Sequence, residues 1–205
     1  MRKAGLTGGI ASGKSTVCSL LQSRGCIIID ADKVAHELIR KGEPCYEPVV
    51  RVFGSGILGP SGEINRKKLG SIVFNDTRSL ETLNRIIHPE VNESIRVRLD
   101  GIQLKQPDAR VVVDASLMIE SGRYENFRPL IVVACTLAQQ IERLMARDTF
   151  TEAEARKHIS LQMPLEQKKL FADYVIDNSG TPEGTQEQVK ILFEKLEMSL
   201  WTMSA

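Results

Sequence analysis

Residues 8–15 read Gly8-Gly9-Ile10-Ala11-Ser12-Gly13-Lys14-Ser15 and satisfy G-x-x-x-x-G-K-[ST] at every position. Glycines let the backbone take positive φ and come close to an anion. Successive amide N–H groups then face inward as a nest, and a helix opening near Lys14 adds the positive end of its dipole. In such a loop Lys14 bridges the β- and γ-phosphates, the Ser15 hydroxyl ligates Mg²⁺, and Thr16 is next in line for the α-phosphate. A Gly-rich turn can match the pattern by chance, but here the flanks are right. Residues 4–7 form a short apolar lead, and residues 14–24 carry Val17, Leu20 and Leu21 on one helical face. The chain is therefore expected to bind a nucleoside triphosphate with Mg²⁺.

Outward from the loop, residues 26–29, 110–114, 130–135 and 174–177 are short apolar runs without alternation. Strands buried on both faces read that way. With the lead before the loop they give an α/β chain with a five-stranded parallel sheet flanked by helices. The stretch 32–103 is too long for one crossover helix. It contains Gly42, Pro44, Pro48 and a Gly-rich turn over 54–62, and reads as a helical substrate-binding insertion. A polar helical pair spans about 138–170, broken at Pro164. An amphipathic helix over 182–201, with Leu192, Phe193, Leu196 and Leu200, is expected to pack on its own sheet.

Composition excludes several classes. Among 205 residues, Lys plus Arg is 27 and Asp plus Glu is 26, a net charge of +1. Nucleic-acid and membrane-surface binders need a surplus of positive charge. Cys18, Cys26, Cys45 and Cys135 form no CxxC pair and no Cys/His cluster with zinc spacing; their use fits a reducing compartment. The N-terminus has no apolar targeting region, and the longest apolar stretch, 130–135, is too short to cross a bilayer. The expectation is a cytoplasmic protein, monomeric or weakly self-associating.

What becomes of the γ-phosphate depends on other residues. The chain lacks the Asn-Lys-x-Asp of guanine readers, and its Asp177-Asn178-Ser179-Gly180 falls after the last strand, where it reads as a turn. A small-molecule kinase needs a carboxylate near the acceptor hydroxyl, an insertion to hold the acceptor, and arginines over the transferring phosphate. Asp30-Ala31-Asp32 closes the second strand, on the side where parallel sheets bind ligands. At most one of these carboxylates is expected to be the base, and Asp32 also fits the N-cap of a helix over 33–40. Arg143 and Arg147 are spaced i, i+4 and share a helix face. Guanidinium groups match phosphate oxygens, but a solvated basic face with Glu142 and Asp148 as partners is the commoner use of this spacing.

Taken together, these residues resemble the dephospho-CoA kinase family along nearly the whole chain. The resemblance runs through 6–16, Ile29-Asp30-Ala31-Asp32 with Ala35-His36, Gly42-Glu43-Pro44, Phe53-Gly54, the turn at 62–66, and Ile87-His88-Pro89. It continues through 143–148, Gln162 and 172–178. It implies a P-loop kinase that moves the ATP γ-phosphoryl group, with Mg²⁺, onto the ribose 3′-hydroxyl of dephospho-CoA. Residues 1–31, 104–136 and 172–205 would form the nucleotide-binding core, 32–103 a helical CoA-binding domain, and 137–171 a helical lid. Asp32 would be the base, assisted by Lys14 and Arg143. Gly9, Ala11, Ser12, Gly13, Lys14, Ser15, Thr16, Arg147 and Asn178 would hold ATP, with Asn178 near the adenine. Thr7 and His88, with Asp32 and Arg143, would lie near the acceptor.

The chain departs from the family pattern twice. Ser116 and Met118 replace the Pro and a Leu of a Pro-Leu-Leu run, and His158 stands where an Arg commonly precedes Gln162 by four residues. Two rival readings remain: a nucleotide or nucleoside kinase, and a nucleotide-dependent regulatory protein with the insertion as a partner surface.

Overall fold

The structure, a computed structural model, describes residues 1–198; the expected helical positions Leu200 and Trp201 lie outside the described residues. The chain forms two compact units, one of residues 1–30 with the described residues from 102 onward, the other of 31–101.

The first unit is built on a five-stranded sheet with strand order β2-β3-β1-β4-β5. The strands are β1 (Arg2–Gly8), β2 (Cys26–Asp30), β3 (Arg110–Asp114), β4 (Leu130–Ala134) and β5 (Tyr174–Asp177). Every neighbouring pair is parallel, with Leu6 opposite both Asp114 and Ile131. The apolar runs form strands because both faces are covered. All of β4 is buried, as are Val111, Val112 and Val113. Ala4, Leu6, Val112, Ile131 and Val133 pack with Val17 and Leu21 of α1 (Lys14–Gln22). Val189, Leu192 and Leu196 of α9 (Pro182–Met198) join the same core, so the last helix packs on its own sheet as expected. On β1, Gly5 lets Met118 approach, since a Cβ there would lie 2.7 Å from Met118 Sδ. Met118 is itself buried, so one of the two substitutions after β3 fills the core as an apolar residue should.

Strands β2 and β3 lie on one side of β1, and β4 and β5 on the other. Connections therefore leave β1 in both directions. The ligand crevice of such a sheet opens at the carboxyl end of the strand where order reverses, and residues 8–13 follow there.

The stretch read as a helical pair over 138–170 is three helices: α6 (Leu137–Asp148), α7 (Glu152–Ser160) and α8 (Leu165–Lys169). Thr149 takes φ 56° after α6, and Thr151 with Glu154 forms a capping box that starts α7 afresh. Ile141 and Leu144 meet Ala155, with Phe150 and Ile159 against them, so the two helices fold back on each other.

The second unit is helical: α2 (Ala31–Leu38), α3 (Tyr46–Phe53), α4 (Arg66–Val73) and most of α5 (Thr77–Lys105). Val34, Tyr46, Val49, Ile57, Leu69, Val73, Ile87, Val91 and Ile95 are among its buried apolar residues. Tyr46 donates its hydroxyl to the Gly62 carbonyl at 2.5 Å, Asn65 caps α4 through Lys67 N and Lys68 N, and Arg98 pairs with Glu37 at 2.6 Å.

One local expectation is corrected here. The helix begins at Ala31, directly after β2, so Asp32 stands inside its first turn and is not an N-cap. His88-Pro89 lies inside α5; Pro89 cannot donate to the Arg85 carbonyl, and the helix runs on through that gap.

Candidate active site

The loop after β1 takes its shape from two positive φ angles, 57° at Ala11 and 96° at Gly13. Ser12 N donates to Gly9 O at 3.1 Å, and Thr16 N to Gly13 O at 3.1 Å, which starts α1. The loop is braced from outside by side chains far away in sequence. Gln140, buried on α6, donates Nε2 to Ile10 O at 2.7 Å. Gln162, after α7, accepts from Ile10 N at 2.8 Å. Asn178, after β5, donates Nδ2 to Ser12 O at 2.9 Å and accepts from Thr185 Oγ1 at 2.9 Å. Arg143 reaches the carbonyls of Ala11 and Ser12 at 3.4 Å and that of Asn178 at 3.0 Å. Bracing the carbonyls leaves the amide side of the loop for an anion.

The glycines follow from this crowding. A Cβ on Gly13 would fall 1.9 Å from Asn178 Nδ2, and one on Gly9 would fall 2.5 Å from Gln140 Nε2. Ser15 and Thr16 are exposed in the first turn of α1. The Ser12 hydroxyl is buried and has no hydrogen-bond partner among the described residues.

Lys14 points to the segment that follows β3, donating Nζ to Ser116 Oγ at 2.9 Å. The Ser116 carbonyl accepts from Thr7 Oγ1 at 3.3 Å and from Lys168 Nζ at 2.7 Å. Lys168 is 0% exposed and pairs with Glu120 at 2.9 Å; Glu120 also accepts from Met163 N at 3.0 Å. One short segment therefore connects β1, the loop lysine and the start of α8.

Charge gathers at the carboxyl ends of β2 and β3, where Asp30 stands opposite Asp114. Cys18 of α1 donates to Asp114 Oδ2 at 3.5 Å, and burial, with Asp114 beside it, pushes this thiol well above its usual range. Asp177 turns back to accept from Ser179 N at 2.9 Å. That makes the turn expected of Asp177-Asn178-Ser179-Gly180, and the hydrogen bonds from Ser179 hold the carboxyl below its ordinary value.

The two arginines of α6 part company. Arg143 faces the loop, whereas Arg147 makes a two-point pair with Asp148 at 2.7 and 3.0 Å. That pairing lowers the Asp148 carboxyl and raises the Arg147 guanidinium. His158 lies flat on Phe150, ring centres 4.5 Å apart. Thr7 is wholly buried beneath the Ser116 segment. In the second unit, Asp32 is exposed on α2 and His88 is half-buried on α5.

Sequence reasoning did not single out Gln140, Lys168, Glu120 or Thr185, and it read Ser116 only as a lost proline. Gln140 and Lys168 sit among polar helical residues that look solvated, and nothing local distinguishes them. No group of three or more His, Cys, Asp or Glu among the described residues could hold a metal ion. No helix among them is long and apolar enough to cross a membrane.

The chain matches the family model described as dephospho-CoA kinase over residues 3–183. It is 43% identical to a dephospho-CoA kinase of Carboxydothermus hydrogenoformans over 198 residues, covering 97% of this chain and 96% of that one. A crystal structure of TT1252 from Thermus thermophilus superposes with TM-score 0.80 at 30% identity, over 96% of this chain and 99% of that one. Dephospho-CoA kinase from Campylobacter jejuni does so with TM-score 0.69 at 27% identity, over 96% and 97%. With a phosphate loop braced on a five-stranded parallel sheet and the family pattern carried along almost its whole length, the chain belongs to the dephospho-CoA kinase family.

Proposed function

We propose that this protein transfers the γ-phosphoryl group of ATP to the ribose 3′-hydroxyl of dephospho-CoA, giving coenzyme A and ADP. The observation that carries the reading is family membership over residues 3–183 together with a phosphate loop held open by its braces.

Gly9, Ala11, Ser12, Gly13, Lys14 and Ser15 of the loop receive the ATP phosphates, with Lys14 on the β- and γ-oxygens and Thr16 on the α-phosphate. Arg143 serves twice: it fixes the loop carbonyls, and its charge stands beside the phosphate that is moving. Asn178 borders the adenine side through the backbone it shares with Arg143. Arg147, on the exposed end of α6, joins ATP by leaving Asp148.

Mg²⁺ is characteristically held by one or two protein oxygens, phosphates and water rather than by a dedicated cage. The residues here fit that pattern, with the exposed Ser15 hydroxyl next to Lys14 and the Asp114 carboxylate at the end of β3. When bound, the ion neutralises charge on the β- and γ-oxygens.

Asp32 acts as base toward the 3′-hydroxyl, supported by its place two residues beyond the carboxyl end of β2. Thr7 serves the acceptor through the segment it holds at Ser116, and His88 contacts the acceptor from the helical unit. Residues 32–103 bind the CoA moiety, and 137–171 close as a lid that keeps water from the γ-phosphate. The protein works in the cytoplasm, as a monomer or with weak self-association, without nucleic acid or membrane.

The test is ADP release with ATP, Mg²⁺ and dephospho-CoA, with AMP and adenosine as parallel acceptors. Release that depends on dephospho-CoA supports the reading. Turnover with AMP or adenosine alone would leave a kinase of another substrate.

A further inference from the structure

The mechanism above leaves one polar cluster beside the loop without a role. Ser116 presents its hydroxyl to Lys14 and its carbonyl to Thr7 and to the buried Lys168. We infer that Ser116 is a positioning residue for the loop lysine, holding the Lys14 ammonium by one of its three N–H groups so that the other two face the phosphates. The inference rests on the proposed reaction for what those phosphates are, but the hydrogen bond itself does not.

A lysine ammonium is a compact charge on four rotatable carbons, and fixing it loses entropy. A hydroxyl 2.9 Å away gives it one preferred place before ATP arrives. That hydroxyl is itself fixed. Lys168 clamps the Ser116 carbonyl at 2.7 Å and is anchored by Glu120, while Thr7 adds a second bond from β1. The Ser116 oxygen thus stands on three elements, β1, the segment after β3, and α8.

The experiment uses the full chain with ¹⁵N-labelled lysine and reads the ammonium ¹H–¹⁵N correlations, which survive only for hydrogen-bonded, slowly exchanging groups. Lys14→Arg identifies the Lys14 signal. Ser116→Ala is expected to lose that signal and keep that of Lys168, whose partners are a backbone carbonyl and Glu120. In the same variant, ATP affinity without acceptor is expected to fall about tenfold. Its kcat falls by a similar factor, while KM for dephospho-CoA stays within twofold. Ser116→Thr, which restores the hydroxyl, recovers most of both losses. Retention of the Lys14 signal in Ser116→Ala, with ATP affinity within twofold of the parent, would overturn the inference. So would loss of the Lys14 and Lys168 signals together, because the side chain would then be holding the segment and not the lysine. Absence of phosphoryl transfer by the parent protein counts against the proposed function and leaves the ammonium spectra to decide on Ser116.

Discussion

Gly13 shows how little room single atoms have at this loop. Its φ of 96° is unfavourable for any side chain, and a Cβ would sit 1.9 Å from the Asn178 amide that braces Ser12. Gly13→Ala is expected to weaken ATP binding at least tenfold by calorimetry, because the loop must move or the brace must break; unchanged affinity would mean that neither matters. Asp32 is tested differently. Asp32→Asn keeps size and polarity but not basicity, so kcat should fall by orders of magnitude while ATP affinity stays near that of the parent. Near-normal turnover would remove Asp32 from the role of base. The loop residues were legible in sequence because their chemistry is local: an anion nest needs glycines, a lysine and a hydroxyl at fixed spacing. Gln140 and Ser116 were not, because their importance comes from partners 130 and 102 residues away. The division of labour between Arg143 and Arg147 was equally hidden, since i, i+4 spacing puts two side chains on one face without saying what each meets.

Among the elements, the strands were readable and the helical connections less so. Short β-branched runs have one good use, a strand covered on both faces. The break between α6 and α7 was readable in principle, as Thr151 and Glu154 spell a capping box, but Pro164 drew attention further on. At His88-Pro89 packing outweighs the local signal: a proline disfavours helix before it, yet the buried Ile87, Val91 and Ile95 hold α5 through the interruption. The segment after β3 carries the element most exposed to failure. Glu120→Ala removes the carboxylate from the buried Lys168 ammonium, and breaking a buried pair from one side costs about 3 kcal/mol. Chemical denaturation should report a loss of that order, with Glu120→Gln intermediate; a change under about 0.5 kcal/mol, typical of surface sites, would show that the pair is hydrated. Thr151→Ala, which removes a single cap, should cost only about 1 kcal/mol.

For the molecule as a whole, the architecture followed from alternation of strand and helix, and the family pattern then gave the reaction. Which acceptor fills the helical unit is not a property that burial or periodicity encodes. Burial does govern the four cysteines, all of them buried and unpaired. It pushes the Cys26 and Cys45 thiols up to about 11 from the usual 9.0, and raises Cys18 and Cys135 as well. Folded thiols thus keep their protons where unfolded ones have lost them. Their contribution to stability is full below about pH 9 and is lost as pH rises toward 11. Native protein at pH 8 should resist alkylation, all four thiols should react after unfolding, and the thermal midpoint should fall between pH 9 and 11. Rapid labelling of the native chain at pH 8 would contradict the burial. Phosphorylation of one hydroxyl of one acceptor leaves its record in the product. Mass spectrometry with ³¹P–¹H correlation on the product of ATP, Mg²⁺ and dephospho-CoA should show one added phosphate, coupled to the ribose H3′. A phosphate on any other position, or ADP formed with dephospho-CoA unchanged, would contradict it.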